Sequence, residues 1–107
     1  MKLENIIFGS RIVNLNFIDK EQASKKKIFG EFDSDANTIV LDKTLDNKQM
    51  INTILHESLH LLADEYKLEL SAKAEELVCN SLANGLCHIL SQNQELLEFL
   101  YKSLKKA

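Results

Sequence analysis

Thr38-Ile39-Val40-Leu41-Asp42 gives way within four residues to Asp46-Asn47-Lys48-Gln49-Met50-Ile51, and the periodicity of the chain changes at that junction. Upstream the pattern is that of strands. Ile12-Val13-Asn14-Leu15-Asn16-Phe17-Ile18 mostly alternates and is rich in β-branched residues, as a half-buried strand requires. Ile28-Phe29-Gly30-Glu31-Phe32-Asp33 and Thr38–Asp42 flank the turn-rich connector Ser34-Asp35-Ala36-Asn37, which predicts an antiparallel hairpin. Residues 5–42 therefore read as strands. Downstream the chain reads as helix. Asp46 is a good N-cap, with Gln49 three residues on to close a capping box, and the helix runs to about Tyr66. Ser71 can cap a second helix from about Ala72 to Leu90. A third, from about Gln94 to Lys105, has Leu96, Leu97, Phe99, Leu100 and Leu104 as its apolar residues, and Lys102, Lys105 and Lys106 suit its C-terminal dipole. The expected fold class is α+β, a small antiparallel sheet followed by helices, in one domain over residues 1–107.

Composition narrows the partners. A chain of 107 residues with a net charge of −3 has no field that would gather nucleic acid or anionic lipid, so neither is expected. Lys25-Lys26-Lys27, the one basic cluster, reads as a solvated turn or strand edge. Met1-Lys2-Leu3-Glu4-Asn5 has no apolar leader region, and no stretch approaches the ~18–20 apolar residues of a membrane span. Cys79 and Cys87 lie eight residues apart on one predicted helix, roughly 12 Å along its axis, too far for a disulfide with each other. They read as small buried apolar residues in a reducing cytoplasm.

Inside the first long helix stands His56-Glu57-Ser58-Leu59-His60. Residues i and i+4 of a helix share a face, so the two imidazoles can bind one Zn²⁺ at about 2.0–2.1 Å each. Glu57 lies beside that metal, where it can take a proton from a bound water. Met50, Ile51, Ile54, Leu55, Leu59, Leu62 and Tyr66 cover most of the helix, which predicts a buried helix, and the histidines share the remaining strip with Gln49 and Thr53. Buried histidines need partners. The plain alternative is a pair of core histidines satisfied by backbone carbonyls, with Glu57 on the surface.

Catalytic zinc usually keeps three protein ligands. No histidine stands six residues beyond the motif, where Leu61-Leu62-Ala63-Asp64-Glu65-Tyr66 follows. The next helix offers Glu75 and Glu76. In Glu76-Leu77-Val78-Cys79-Asn80 a glutamate and an asparagine share a face one turn apart, so Glu76 can ligate while Asn80 holds a histidine by its second nitrogen. Glu75, nearer the middle of the apolar face, and His88 are the competing third ligands.

These residues resemble a family. Strands, a hairpin ending at Thr38–Asp42, His56-Glu57-Ser58-Leu59-His60, and then Glu76-x-x-x-Asn80-x-x-Ala83 are similar to the small zincin metallopeptidases of bacterial and prophage genomes, the ImmA/IrrE-like group and minimal gluzincins. The resemblance covers roughly residues 10–90. It implies zinc bound by His56, His60 and Glu76, with Glu57 as general base. It implies a peptide or protein substrate, a phage-type repressor among them, and a substrate-pairing strand at Thr38–Asp42. The extra DNA-binding or sensor domain of some relatives has no counterpart here. Tyr66 and Tyr101 are candidates for oxyanion stabilisation by residue type alone.

The expected function is zinc-dependent peptide hydrolysis, with Glu57 accepting the proton of a water whose pKa the metal lowers to about 7. The competing reading is a zinc-stabilised phage or prophage protein that binds a partner without cutting it.

Overall fold

The computed structural model describes residues 3–106; Met1 and Lys2, part of the segment read for a leader, lie outside them. The elements are β1 (Asn5–Phe8), β2 (Arg11–Ile18), α1 (Lys20–Lys26), β3 (Gly30–Asp33), β4 (Thr38–Asp42), α2 (Asn47–Glu65), α3 (Ala72–Gln92) and α4 (Gln94–Lys106). The class is α+β, with four strands in the order β1-β2-β4-β3. β1 and β2 form a hairpin turned at Gly9, whose φ of 60° suits glycine. β3 and β4 form the second, in the expected antiparallel sense, with Phe32 opposite Ile39.

The sheet is mixed, which corrects the all-antiparallel expectation: β2 and β4 pair in parallel, Leu15 opposite Ile39. A parallel pair needs a crossover of a dozen or more residues, and α1 with β3 supplies it. α1 corrects the reading of residues 5–42 as strands alone. Asp19 caps it, accepting from the Gln22 backbone N–H at 2.9 Å, while the Gln22 side chain accepts from Asp19 N. Lys25 and Lys26 fill its last turn and Lys27 ends it in the left-handed region, so the lysines are exposed, as expected, but on a helix end.

Val13, Ile39, Leu41 and Leu61 form the core, with Ile6, Leu15, Phe32, Met50 and Ile54 packed against them. The sheet thus lays one face on α2. That helix is less enclosed than its apolar composition predicts. Its buried residues are Thr53, Glu57, Leu61 and Ala63, while Ile51 is 55 % exposed. The stripe Thr53-Glu57-Leu61, at four-residue spacing, faces the sheet, so two polar side chains lie on the buried side. Asp46 and Ser71 cap α2 and α3 as expected, through Gln49 N at 2.8 Å and Ala74 N at 3.1 Å, but the Gln49 side chain does not return a bond to Asp46 N to close the expected capping box. Among the described residues no helix is long and apolar enough to cross a membrane.

Gly30 brings β3 close to α2. A Cβ there would stand 2.6 Å from Thr53 Cγ2 and 3.1 Å from Leu41 Cδ2. The Thr53 methyl cannot easily turn aside, because its hydroxyl donates to the Gln49 carbonyl at 2.7 Å. Gly30→Ala is therefore expected to destabilise the fold by about 1–3 kcal/mol, the usual cost of overpacking. It should lower the urea midpoint at unchanged slope. An unaltered midpoint would show that β3 yields without cost.

Candidate metal centre

The helical repeat of α2 stacks His56 and His60, with ring centroids 4.8 Å apart. Their Nε2 atoms are 3.2 Å from each other. α2 and α3 run antiparallel, joined at residues 66–71, and Asn52 Nδ2 donates to Asn84 Oδ1 at 2.6 Å farther along the pair. That packing carries Glu76 onto both imidazoles: Oε1 lies 2.9 Å from His56 Nε2 and Oε2 3.0 Å from His60 Nε2. One ligand atom from each of the three residues falls within 4.8 Å of the others.

This donor set fits a metal ion. A tetrahedral zinc with bonds of about 2.0–2.1 Å needs donors about 3.3 Å apart, close to the spacings here. Charge points the same way. Glu57, Glu75 and Glu76 surround two imidazoles, and among the described residues Lys67 is the one lysine or arginine lining the cleft. A divalent cation at the shared point would supply the missing positive charge.

Glu75 and Glu76 have different places. Glu75 Oε2 is 2.6 Å from His60 Nδ1, on the far side of the ring from Glu76. A hydrogen on Nδ1 shared with Glu75 leaves Nε2 with its lone pair toward the ligand point. The partner of the histidine's second nitrogen is therefore Glu75 and not Asn80, which is exposed. The cause is helix rotation: Asn80 follows Glu76 by one turn, but on the antiparallel neighbour that turn leads away from His60. Burial lowers the proton affinity of His60, yet Glu75, Glu57 and Glu76 outweigh it and hold the imidazolium above its usual range. A proton and a metal ion compete for this nitrogen.

Glu57 is 7 % exposed, so the alternative of a surface glutamate fails. Its Oε1 accepts from the Phe32 backbone N–H at 2.9 Å, and its Oε2 lies 3.8 Å from His56 Nε2. One oxygen is tied to β3 while the other faces the ligand group. Burial pushes this carboxyl up from its ordinary range, against the pull of the two imidazoles. A carboxylate so placed is a stronger proton acceptor than one in water.

The other candidates lie elsewhere. His88 is exposed and outside the ligand group. Cys79 is 2 % exposed, and its thiol is pushed up to about 11, by burial first and by Glu75, Glu76 and Glu57 next. It behaves as a small apolar residue, and both cysteines are free. Tyr66 packs edge-on against Phe8 and Tyr101 sits on α4, 65 % exposed; neither lines the cleft.

The cleft over the histidines has a volume of about 590 Å³, with Gly30, Phe32 and Ser34 on one wall and Glu75 and Glu76 on another. Its bordering strand is β3, which corrects the expectation for Thr38–Asp42. β4 pairs on both sides, so its main chain is used up. On β3 the bond from Asp42 N to Phe29 O, 2.8 Å, sets the alternation. Residues 29, 31 and 33 bond to β4, and the main-chain groups of Gly30 and Phe32 face the open edge.

Sequence reading missed Arg11. Its guanidinium donates to Asn37 Oδ1 at 2.8 Å, Asp64 Oδ2 at 3.0 Å and Glu65 Oε2 at 2.8 Å, and lies 5.5 Å from the Phe32 ring centroid. Ser34 Oγ donates to the same Asp64 oxygen at 2.9 Å. Arg11 thus ties the β3–β4 turn to the end of α2 and steadies the wall that holds Glu57. Partners 26, 53 and 54 residues away leave no local signal in the sequence.

The two glutamates predict an order of effects. Glu76→Ala should weaken zinc affinity most, Glu75→Ala by the 10–100-fold typical of a ligand's supporting partner, and Asn80→Ala hardly at all. Competition with a coloured chelator measures all three. A larger loss from Glu75→Ala than from Glu76→Ala would reverse the assignment.

The chain matches no protein-family model, no curated protein and no solved structure; what the site can do follows from its own residues and distances.

Proposed function

We propose that this protein is a zinc-dependent peptidase. The observation that carries the reading is the convergence of His56, His60 and Glu76 with the buried Glu57 carboxylate beside them. Zinc held by these three side chains would lower the pKa of a coordinated water to about 7 and polarise a substrate carbonyl. Glu57 takes up the proton on Oε2, the oxygen that Phe32 leaves free, and can pass it to the leaving amine. The open edge of β3 offers the Gly30 N–H and carbonyl and the Phe32 carbonyl to an extended peptide, a mode of recognition by strand addition. Lys67, on the cleft wall, is the cation nearest in type to an oxyanion partner. By family resemblance alone, a phage-type repressor met in a bacterial cytoplasm is the first substrate to try.

One observation favours a second reading. Neither tyrosine lines the cleft, and Glu57 spends one oxygen on β3. A metal that merely pins α2 to α3 in a partner-binding protein accounts for both. Mass spectrometry of a candidate protein, incubated with the zinc-loaded wild type and with Glu57→Gln, separates the readings. Cleavage by the wild type alone supports the peptidase. No cleavage by either, with zinc in both, supports the binder.

A further inference from the structure

We infer that Lys67 selects the substrate by taking one of its carboxylates, about three residues from the bond that is cut. This selectivity, which rests on the peptidase reading above, makes the substrate class an acidic peptide.

Lys67 is placed by the helix that carries the metal group. α2 ends in a closed turn, in which Lys67 N donates to the Asp64 carbonyl at 3.1 Å and Leu68 N to the Ala63 carbonyl at 3.0 Å. Lys67 follows His60 by seven residues, so it stands about two turns on, roughly 10 Å farther along the axis. β3 runs beside α2 in the same sense. Gly30 stands against Thr53, the Phe32 N–H meets Glu57, and Ser34 Oγ reaches Asp64. The cleft thus passes from Gly30 over the histidines to Lys67 and Leu68, where the chain turns toward α3. An extended peptide covers the span from the metal group to Lys67 in about three residues. That is long for a contact with the reacting carbonyl and suits a group farther along the substrate.

Charge makes that group a carboxylate. Lys67 is exposed, and among the described residues no carboxylate pairs with it. The acids nearest to it on α2 are engaged. Asp64 and Glu65 both accept from Arg11 Nη1, at 3.0 and 2.8 Å, and Asp64 also accepts from the Ser34 hydroxyl. Arg11 neutralises the end of α2 and leaves the charge of Lys67 uncompensated. Glu57, Glu75 and Glu76 gather at the histidines instead, where a bound divalent cation would offset them. The backbone gives no reason for a lysine here. Its φ of 51° lies in the left-handed region, where glycine is least strained. Lys27 ends α1 in the same region, at φ 57°, and does not line the cleft; it is the matched control.

The test uses short peptides of one sequence in which Asp, Asn or Lys replaces each position in turn, with free and with amidated C-termini. Mass spectrometry after incubation with the zinc-loaded protein gives the bond cut and the rate. In low salt, Asp should exceed Asn by about tenfold in kcat/KM at one position, on one side of the bond, as one charge-assisted contact allows. The ratio should shrink as salt rises. If the carboxylate is the peptide's own C-terminus, amidation should cost the same factor instead. Lys67→Glu should transfer the preference from Asp to Lys. Lys67→Gly should abolish it without lowering the melting temperature, as Lys27→Gly leaves the preference intact. A wild type indifferent to acid, or a preference that survives Lys67→Glu, overturns the inference and leaves the peptidase standing. So does an equal loss for every peptide in Lys67→Gly, the mark of an oxyanion partner. If nothing is cut, the peptidase reading falls, and binding of the labelled Asp and Lys peptides, read by fluorescence polarisation, decides. Tighter binding of Asp, reversed in Lys67→Glu, supports the carboxylate site; equal binding overturns it.

Discussion

Glu57→Gln is expected to keep its zinc and lose its hydrolysis. Gln matches Glu in shape and can still accept from Phe32 N through its amide oxygen, so β3 should stay in place. It cannot take up a proton at neutral pH. Peptide cleavage should fall by at least ~10²–10⁴-fold, the usual loss when general acid–base help is removed. Metal content is measured on the same samples, and the proposed ligands His56, His60 and Glu76 are untouched. Equal cleavage by the two proteins would remove Glu57 from the mechanism. Loss of zinc together with activity would show that Glu57 serves the metal and not the proton.

His56→Ala is expected to abolish stoichiometric zinc binding and, with it, zinc-dependent stability. A ligand that binds only the folded state stabilises it by about 2.7 kcal/mol at one hundred times its dissociation constant. The wild-type melting temperature should therefore rise with added zinc and fall with a chelator, whereas that of His56→Ala should respond to neither. Ala is a good helix former, so α2 should survive and its circular dichroism should stay near that of the wild type. Elemental analysis of untagged protein gives the direct count, expected at one zinc per wild-type chain. A wild type that holds no zinc after reloading would end the metalloenzyme reading, and the histidines would then be a hydrogen-bonded cluster around Glu76 and Glu75.

The helices were readable because their signals are local. Asp46 and Ser71 cap through backbone groups three residues away, and the spacing of His56 and His60 places both rings on one face of any helix. α1 was missed although Asp19 and Gln22 carry a capping box. Seven residues are too few to show a helical period, and its neighbours are strands. The parallel pairing of β2 with β4 was unreadable in principle, since side chains alternate in the same way along parallel and antiparallel strands. The cleft strand was misplaced for another reason: the family resemblance put it at Thr38–Asp42, the strand before α2, but that strand is central in the sheet and has no free edge.

The sequence by itself determined what lies within one or two turns of helix: two imidazoles on one face, a carboxylate beside them, and on α4 an apolar stripe. Only the tertiary structure decided which groups complete the site. Glu76 reaches both Nε2 atoms, and Glu75 takes His60 Nδ1, because α3 folds back along α2 in one particular rotation. Glu57 is buried because Gly30 lets β3 approach and Phe32 presents an unpaired N–H 25 residues away. A helix imposes its geometry through bonds four residues long. Contacts between elements depend on how whole faces pack, and no short window of sequence carries that information.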